Sequence, residues 1–212
     1  MNAETEELSK NINKYCEDYS LKISISENEL FLRYYESVLR WNPRLHLTTL
    51  ASPFEFAHRF ILEGAYSSKI LSPNIHQIWD IGSGAGFPGI PLAILRPDLF
   101  VYLVEANRKK AIFLKELIAH LNLTNVVAIN QRFQDIPSLS PNSCLTTRAL
   151  EKLDNHLSDL LLRFSCIDQF LFFGSEFLLS NIPDQQKTPW SVTAYKIPFS
   201  EKRYIHTLNR ST

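Results

Sequence analysis

Three glycines at alternate positions, Gly82, Gly84 and Gly86, lie between two apolar segments of the chain. Residues 75–81 have the composition of a buried strand, and residues 90–95 have a helical pattern. Because glycine has no Cβ, a turn rich in glycine lets the backbone come close to a ligand. A strand, a glycine turn and a helix in this order are typical of a nucleotide-type site at the carboxyl end of a parallel strand.

The spacing of the glycines indicates which ligand to expect. It is G-x-G-x-G, whereas the dinucleotide fingerprint G-x-G-x-x-G directs a helix N-terminus at a diphosphate. S-adenosylmethionine has no phosphate, so the spacing favours this cofactor. We expect the cofactor to contact the loop residues Gly82, Ser83, Gly84, Gly86 and Phe87. A tight turn between strand and helix without any ligand is the alternative interpretation.

A carboxylate stands at the end of the next predicted strand. Residues 99–104 are apolar, and Glu105 follows them about 20 residues beyond the glycines. A carboxylate at this point can accept hydrogen bonds from ribose hydroxyls. The alternative role is a negative charge that favours the start of a helix.

The other elements alternate in a way that predicts an α/β fold with a doubly wound, mostly parallel sheet. Residues 1–71 are predicted as a helical extension and residues 72–212 as one compact domain. Further strands are predicted at 126–129, 143–147 and 167–173, with a terminal hairpin at 190–195 and 203–208. Helices are predicted at 4–19, 26–42, from 53, 109–121 and 150–164.

Details of three helices are predicted from side-chain patterns. Ser26, with Glu29 three residues later, predicts a helix start, and Pro43 predicts the end of that helix. Phe54 and Ile112 are predicted on the buried sides of their helices.

The composition excludes several classes of protein. The 212 residues include 45% hydrophobic and 21% charged residues, which indicates a globular fold. The 22 basic and 22 acidic residues cancel, which argues against broad electrostatic binding of nucleic acid. No apolar run is long enough for a membrane span. The three cysteines are widely spaced, so we expect free thiols and neither a disulfide framework nor a metal site.

The glycine loop belongs to a longer stretch, D-I-G-S-G-A-G-F-P-G-I-P-L-A from Asp80, which resembles the signature of the ribosomal RNA small subunit methyltransferase G family, also called glucose-inhibited division protein B. Residues 41–48 resemble the family's W-N-x-x-x-N-L-T segment, residues 58–63 its R-H-F-x-D-S segment with changes, and residues 147–150 its S-R-A-F segment. The similarity runs from about residue 41 to residue 160, and the F-P-G-I-P extension is its specific part.

The resemblance implies a class I methyltransferase sheet of seven strands, with the last strand antiparallel. It implies S-adenosylmethionine as cofactor, methylation of guanine N7 in 16S ribosomal RNA, and a cytoplasmic location. Phe133 and Gln134 would flank the adenine of the cofactor, although the family usually has a carboxylate where Gln134 stands. A surface loop is the alternative for this pair. We expect a monomer.

Arg148 follows the fourth strand, where this class of enzyme faces the target base. It is the candidate for orienting cofactor or substrate through paired hydrogen bonds, and a surface salt bridge is its alternative. No catalytic base is identified near the loop. His46 and His58 are interpreted as structural, because no carboxylate or thiol lies near them at ligand spacing.

Basic residues could form a rim that contacts RNA phosphates, or they could simply be solvated. The candidates are Arg33, Arg40, Arg44, Arg59, Lys69, Arg108, Lys109 and Lys110. The chain lacks the lysine that the family carries after the fifth strand, and it lacks the family's basic C-terminus. Two other hypotheses therefore remain open, namely a methyltransferase for a small molecule or a protein, and a cofactor-binding protein that has lost catalysis.

Overall fold

The computed structural model describes residues 3–49, 52–148, 157–180 and 189–210. Within these ranges, a sheet of seven strands is flanked by helices. The strands are β1 Gln77–Ile81, β2 Phe100–Val104, β3 Val126–Ile129, β4 Ser143–Thr147, β5 Gln169–Gly174, β6 Trp190–Lys196 and β7 Tyr204–Arg210. The helices are α1 Ala3–Tyr15, α2 Ile25–Leu45, α3 Pro53–Phe56, α4 Glu63–Ser68, α5 Gly89–Leu95, α6 Arg108–Leu121 and α7 Leu157–Arg163, with a π-helix at Ala57–Leu62 and a 3₁₀ turn at Phe133–Asp135.

The strand order is β3-β2-β1-β4-β5-β7-β6, and β7 runs antiparallel to both of its neighbours. The predicted α/β class and the antiparallel last strand are confirmed. The order reverses between β1 and β4, which pair directly in parallel. Ligands of open α/β sheets bind outside the carboxyl ends of the strands at such a reversal. The glycine loop follows β1, and Arg148 follows β4, so both lie at this point.

The core divides into two hydrophobic clusters. Neighbouring residues along a strand, such as Cys144 and Leu145 in β4, belong to different clusters. Successive side chains of a strand point to opposite faces, so the two clusters cover the two faces of the sheet. One contains buried residues of α1, α2, α5 and α6, and the other contains those of α7.

The start of α2 corrects the sequence prediction. Ser24, and not Ser26, is the N-cap, because its side chain accepts from the backbone N–H of Glu27 at 3.3 Å. The carboxylate of Glu27 accepts in return from the N–H of Ser24 at 2.6 Å, which completes a capping box. The pattern of serine followed by glutamate three residues later occurs in two registers here, and the structure uses the first.

The predicted end of α2 and the predicted burial of two side chains were also wrong. The helix continues through Pro43 to Leu45, where His46 caps it in a left-handed conformation. Phe54 is 49% exposed and Ile112 is 44% exposed. The first helix ends at Tyr15, before the predicted boundary. The predicted helix at 150–164 is described only from 157 onward, and its earlier part lies outside the described residues.

Within the described ranges, no helix combines the length and the apolar character that crossing a membrane requires. Cys16, Cys144 and Cys166 are free thiols, as predicted.

We predict that Ser24→Ala lowers the free energy of unfolding by about 1 kcal/mol, because it removes the capping hydrogen bond of α2. Urea denaturation followed by circular dichroism measures the change. Ser26→Ala is the control. Ser26 is also exposed and its hydroxyl lies 3.1 Å from that of Ser24, but it does not cap the helix, so we expect a change within about 0.5 kcal/mol. Equal losses in the two variants would contradict the observed cap.

Candidate functional site

The loop after β1 is held by the end of the neighbouring strand. The N–H groups of Gly82 and Ser83 both donate to the carbonyl oxygen of Val104, at 2.9 and 3.2 Å. The loop has left-handed φ angles of 72° at Gly82, 54° at Gly84 and 98° at Gly86. Residues with a Cβ rarely adopt these angles, so the path of the loop requires the alternating glycines.

The glycines differ in what surrounds them. A Cβ added at Gly86 would lie 2.7 Å from Cγ1 of Ile90, which is too close. A Cβ added at Gly84 would have as its nearest neighbour the carbonyl oxygen of Gly82, at 3.7 Å, which is an ordinary contact. Gly86 therefore permits packing inside the protein, whereas Gly84 borders space in which a ligand can approach the backbone.

Glu105 joins the loop to the next helix. One carboxylate oxygen accepts from the N–H of Gly84 at 3.0 Å, and the other accepts from the N–H of Asn107 at 2.8 Å. The cap of α6 is Asn107 itself, whose side chain accepts from the N–H of Lys109 at 3.0 Å. Each carboxylate oxygen has a second lone pair, so the half-buried Glu105 can also accept from a ligand hydroxyl.

Asp80 lies beside the loop and is fully buried. Its Oδ2 accepts from the N–H of Gly89 at the start of α5, at 3.1 Å. Its Oδ1 is buried and has no hydrogen-bond partner within the described part of the chain. Burial raises the pKa of this carboxyl well above its ordinary value, although the bond from Gly89 opposes the shift. Because the carboxyl is fully buried, Asp80 fixes the start of α5 against the end of β1.

Arg148 lies between the loop and the π-helix. Its guanidinium carbon is 4.7 Å from the ring centroid of Phe87 and 5.3 Å from that of Phe60. Its Nη1 donates to the carbonyl oxygen of Arg59 at 2.9 Å. Cations at these distances from aromatic rings are attracted to the ring faces. The structure therefore brings Arg148 to the glycine loop through Phe87, the residue that follows the last of the three glycines.

Three charged side chains connect the π-helix to the last hairpin. Glu63 is 2% exposed and pairs with Arg59 at 3.3 Å and with Arg203. Burial lowers the pKa of Arg203 to about 10. π-Helices are rare and frequently occur at functional sites. The buried carboxylate of Glu63 thus links the π-helix to the turn between β6 and β7. The π-helix also carries Arg59, whose carbonyl oxygen accepts from Arg148.

Residues 27–204 match the family model of rRNA small subunit methyltransferase G. The match spans most of the 212 residues and includes every element from the first turn of α2 to the start of β7. The chain belongs to the ribosomal RNA small subunit methyltransferase G family.

Curated members of this family are similar to the chain over its central part. One from Desulforamulus reducens is 39% identical over 118 residues, covering 54% of this chain and 49% of that protein. One from Pseudomonas entomophila is 34% identical over 149 residues, covering 66% of this chain and 67% of that protein. Both are named ribosomal RNA small subunit methyltransferase G. The chain spans about half to two thirds of the length of the curated relatives that it matches.

Solved structures of methyltransferases share the fold. Mitomycin 7-O-methyltransferase MmcR has a TM-score of 0.60 at 13% identity, covering 84% of this chain and 60% of that chain. The delta-N METTL16 methyltransferase domain has a TM-score of 0.56 at 11% identity, covering 85% and 96%. At these identities, the similarity establishes the class I methyltransferase fold and nothing finer.

The remaining predicted cofactor residues of this family member lie around the same edge of the sheet. Phe133 and Gln134 form a 3₁₀ turn beyond the carboxyl end of β3. The side chain of Phe133 is buried in the core, and that of Gln134 is exposed. Ser83 is buried, and its hydroxyl donates to the carbonyl oxygen of Asp80 at 2.8 Å. The side chain of Ser83 therefore shapes the loop, while Gln134 remains accessible to a ligand.

The basic residues do not share a single role. Arg33 donates to the carbonyl oxygen of His120, and Lys69 donates to that of Ser20 at 2.9 Å. Arg44 and Lys109 instead line a surface pocket of about 330 Å³. The other residues that line it are Trp41, Leu45 and Ile112. The predicted rim is thus divided between structural hydrogen bonds and an accessible surface at the start of α6.

The two histidines singled out from the sequence have structural contacts. Nδ1 of His58 lies 3.3 Å from the hydroxyl of Tyr19, and His46 caps α2. Across the described ranges, no group of three or more histidine, cysteine, aspartate or glutamate side chains is arranged to hold a metal ion.

Sequence reasoning missed Asp80 and Glu63 as parts of the site. A carboxylate inside a mostly apolar strand, two residues before the first glycine, was the available signal for Asp80. The pairing of Glu63 with Arg203 joins residues far apart in the chain, and no local pattern indicates it.

Proposed function

We propose that the chain is an S-adenosylmethionine-dependent methyltransferase that methylates guanine N7 in 16S ribosomal RNA. The observation that carries the proposal is membership of a family whose curated members are named ribosomal RNA small subunit methyltransferase G. It is supported by a loop whose backbone is exposed to a ligand at the point where the strand order reverses. Action as a monomer in the cytoplasm belongs to the same proposal.

The residues at the loop fit the proposed cofactor. Gly84 borders open space, so the cofactor could lie against the backbone. Glu105 would accept from its ribose hydroxyls, and the accessible Gln134 would bond its adenine. Arg148 would orient the cofactor carboxylate or the target base.

S-adenosylmethionine supplies a methyl group bound to a positively charged sulfur. The N7 lone pair of guanine is an acceptor exposed in the major groove, so it carries no proton that must be removed. Gly84, Glu105 and Gln134 would hold the cofactor, whose methyl group would pass to N7 while the electron pair of its bond to carbon stays on sulfur. The task of the protein is to hold N7 in line with the methyl group, which can contribute about 7–11 kcal/mol.

The titratable groups beside the loop are engaged in structural hydrogen bonds. Asp80 and Glu105 accept from backbone N–H groups. The hydroxyl of Tyr34 donates to the carbonyl oxygen of Ala85 at 3.0 Å, and burial raises its pKa well above the ordinary value. These groups suit a reaction that needs no general base.

Two measurements test the proposal and its rivals. Isothermal calorimetry with S-adenosylmethionine tests cofactor binding. Transfer of a labelled methyl group is then measured with deproteinised 16S ribosomal RNA and with intact small subunits. Binding without transfer to either RNA would favour a protein that has lost catalysis or one that acts on another substrate.

We predict that Gly84→Val abolishes calorimetric binding of S-adenosylmethionine. A β-branched residue is disfavoured at a φ of 54°, and its side chain would occupy the open space beside the loop. A thermal melt checks that the variant is folded. By comparison, Gly86→Val should unfold at a lower temperature, because its Cβ would overlap with Ile90. Normal affinity in a folded Gly84→Val protein would refute the cofactor site.

We predict that Glu105→Ala weakens cofactor binding by about 1–3 kcal/mol, the range for losing hydrogen bonds to a charged acceptor. Glu105→Gln should have a smaller effect, because the amide keeps one acceptor oxygen. Glu116→Ala is the control, since Glu116 is exposed on α6. An unchanged dissociation constant in Glu105→Ala would limit this residue to holding the loop.

We predict that the single-turnover rate of methyl transfer is nearly constant from about pH 6.5 to 9, because no side chain must lose a proton in the reaction. Rapid-quench measurements at saturating cofactor test this. A tenfold rise per pH unit across the window would indicate a required deprotonation, and hence a target atom other than N7.

A further inference from the structure

The turn between β6 and β7 lies at the same edge of the sheet as the glycine loop. In the antiparallel ladders, Tyr204 at the start of β7 pairs with Gly174 at the carboxyl end of β5 and with Lys196 at the end of β6. Residues 197–203 therefore extend beyond the carboxyl ends of the parallel strands. This is the edge from which a substrate must approach the proposed methyl donor.

Aromatic rings from three separate segments meet at this turn. Phe199 lies in the turn itself, with its ring centroid 5.4 Å from that of Tyr15 at the end of α1. Phe54 of α3 is 6.1 Å from Tyr15 and 4.5 Å from His58 in the π-helix. We call Tyr15, Phe54, His58 and Phe199 the aromatic surface. Phe54 is 49% exposed and Phe199 is 61% exposed, whereas His58 is buried beneath them.

Buried contacts fix the aromatic surface in position. The hydroxyl of Tyr19 donates to the carbonyl oxygen of Pro198 at 3.0 Å, which ties the turn to the segment after α1. Arg203, at the other end of the turn, pairs with the buried Glu63. Burial lowers the pKa of His58 below its ordinary value, with a further contribution from the charge of Arg203. The ring beneath the two phenylalanines is therefore held neutral.

Phe199 adopts a costly backbone conformation. Its φ is 57°, in the left-handed region that large side chains rarely occupy. Such strain persists where the surrounding structure enforces it, and it is frequent at binding sites. Burial of the ring does not explain the residue, because most of its surface is exposed.

The aromatic surface is joined to the candidate site through the buried π-helix. His58 is followed by Arg59, whose carbonyl oxygen accepts from Arg148. Phe60, next along the π-helix, has its ring centroid 5.6 Å from that of Phe87 in the glycine loop. The side chains of Phe60 and Phe87 are buried, so these contacts fix the aromatic surface relative to Arg148 from inside the protein.

Lysines accompany the exposed rings. Nζ of Lys14 is 4.8 Å from the ring centroid of Tyr15, and Lys202 is exposed in the same turn as Phe199. Exposed aromatic rings with adjacent cations are the features by which proteins hold single-stranded nucleic acid, because every base can stack on a ring while the cations contact the phosphates. Glu201 is exposed beside Lys202, so charges of both signs surround the rings, and the affinity for RNA would come mainly from stacking.

We propose that the aromatic surface binds unpaired bases of the RNA that flank the methylated guanine, by stacking on Phe54 and Phe199. This inference rests on the proposed function, since it assumes that RNA approaches this edge of the sheet. It assigns to α3 and to the turn between β6 and β7, which present the two exposed rings, a role in holding the substrate at this edge of the sheet.

The test compares leucine and tyrosine at the two exposed phenylalanines in the full chain. The variants are Phe54→Leu, Phe199→Leu, the double leucine variant and the double tyrosine variant. Leucine keeps an apolar side chain but removes the ring, whereas tyrosine keeps the ring. Phe100→Leu is the matched control, because Phe100 is 39% exposed at the amino end of β2, on the opposite edge of the sheet.

Binding is measured by fluorescence anisotropy with labelled single-stranded oligoadenylate and with a duplex of the same length. We expect each leucine to weaken single-strand binding about tenfold, within the range for one stacked base. The tyrosine variant and Phe100→Leu should bind like the wild type. The ratio of the dissociation constants of the double leucine variant and the wild type should be the same at about 50 and 200 mM salt, because stacking releases no counterions. Calorimetric affinity for S-adenosylmethionine should be unchanged in all variants.

The outcomes separate this proposal from the proposed function. Equal binding of oligoadenylate by the wild type and the double leucine variant overturns the aromatic surface, even if the wild type methylates 16S ribosomal RNA. Loss of binding to intact small subunits alone, with normal binding of free RNA, overturns it in favour of a ribosomal protein partner. Loss of oligoadenylate binding in the leucine variants supports it, even if the wild type transfers no methyl group to ribosomal RNA.

Discussion

The structure of the candidate site depends on one constraint, the left-handed path of the loop between β1 and α5. The carbonyl oxygen of Val104 and the carboxylate of Glu105 hold this path from the neighbouring strand. Asp80 holds its far end by accepting from the first residue of α5. Because all these contacts come from the carboxyl ends of β1 and β2, any shift in the pairing of the two strands would displace the loop backbone that we propose faces the cofactor.

The strands were predictable because parallel strands buried on both faces appear in the sequence as continuous apolar runs. The ends of the helices and their buried faces were harder to predict. The local sequence signal for a helix start occurs twice near α2, and the regular helical period does not hold at the π-helix. The segment from Ser24 offers two capping registers, and only tertiary packing selects between them. Phe54 was assigned to a buried face by a regular helical period, but the π-helix that begins at Ala57 changes the period and rotates the preceding turn relative to the following one.

The site was predictable to the extent that its residues are neighbours in sequence or follow successive strands. The glycine loop, Glu105 and Arg148 satisfy this condition, because the topology of a doubly wound sheet brings strand ends together. The contacts of Glu63 with Arg203 and of Tyr15 with Phe199 do not, since they join the first third of the chain to the last hairpin. Such contacts depend on how the N-terminal helices pack against the sheet, and no local spacing encodes that arrangement.

The balance of charge sets how such a chain can hold RNA. With 22 basic and 22 acidic residues, it has little net attraction for a polyanion. Stacking on exposed rings supplies affinity without net charge, but it requires bases that are already unpaired, because opening a helix costs free energy. If this neutral protein holds RNA by stacking on aromatic rings, it will therefore select RNA whose bases are unpaired. Opened RNA is also the form in which guanine N7 becomes accessible to a methyl donor buried at a sheet edge, since the major groove of an RNA helix is too deep and narrow for side chains to enter.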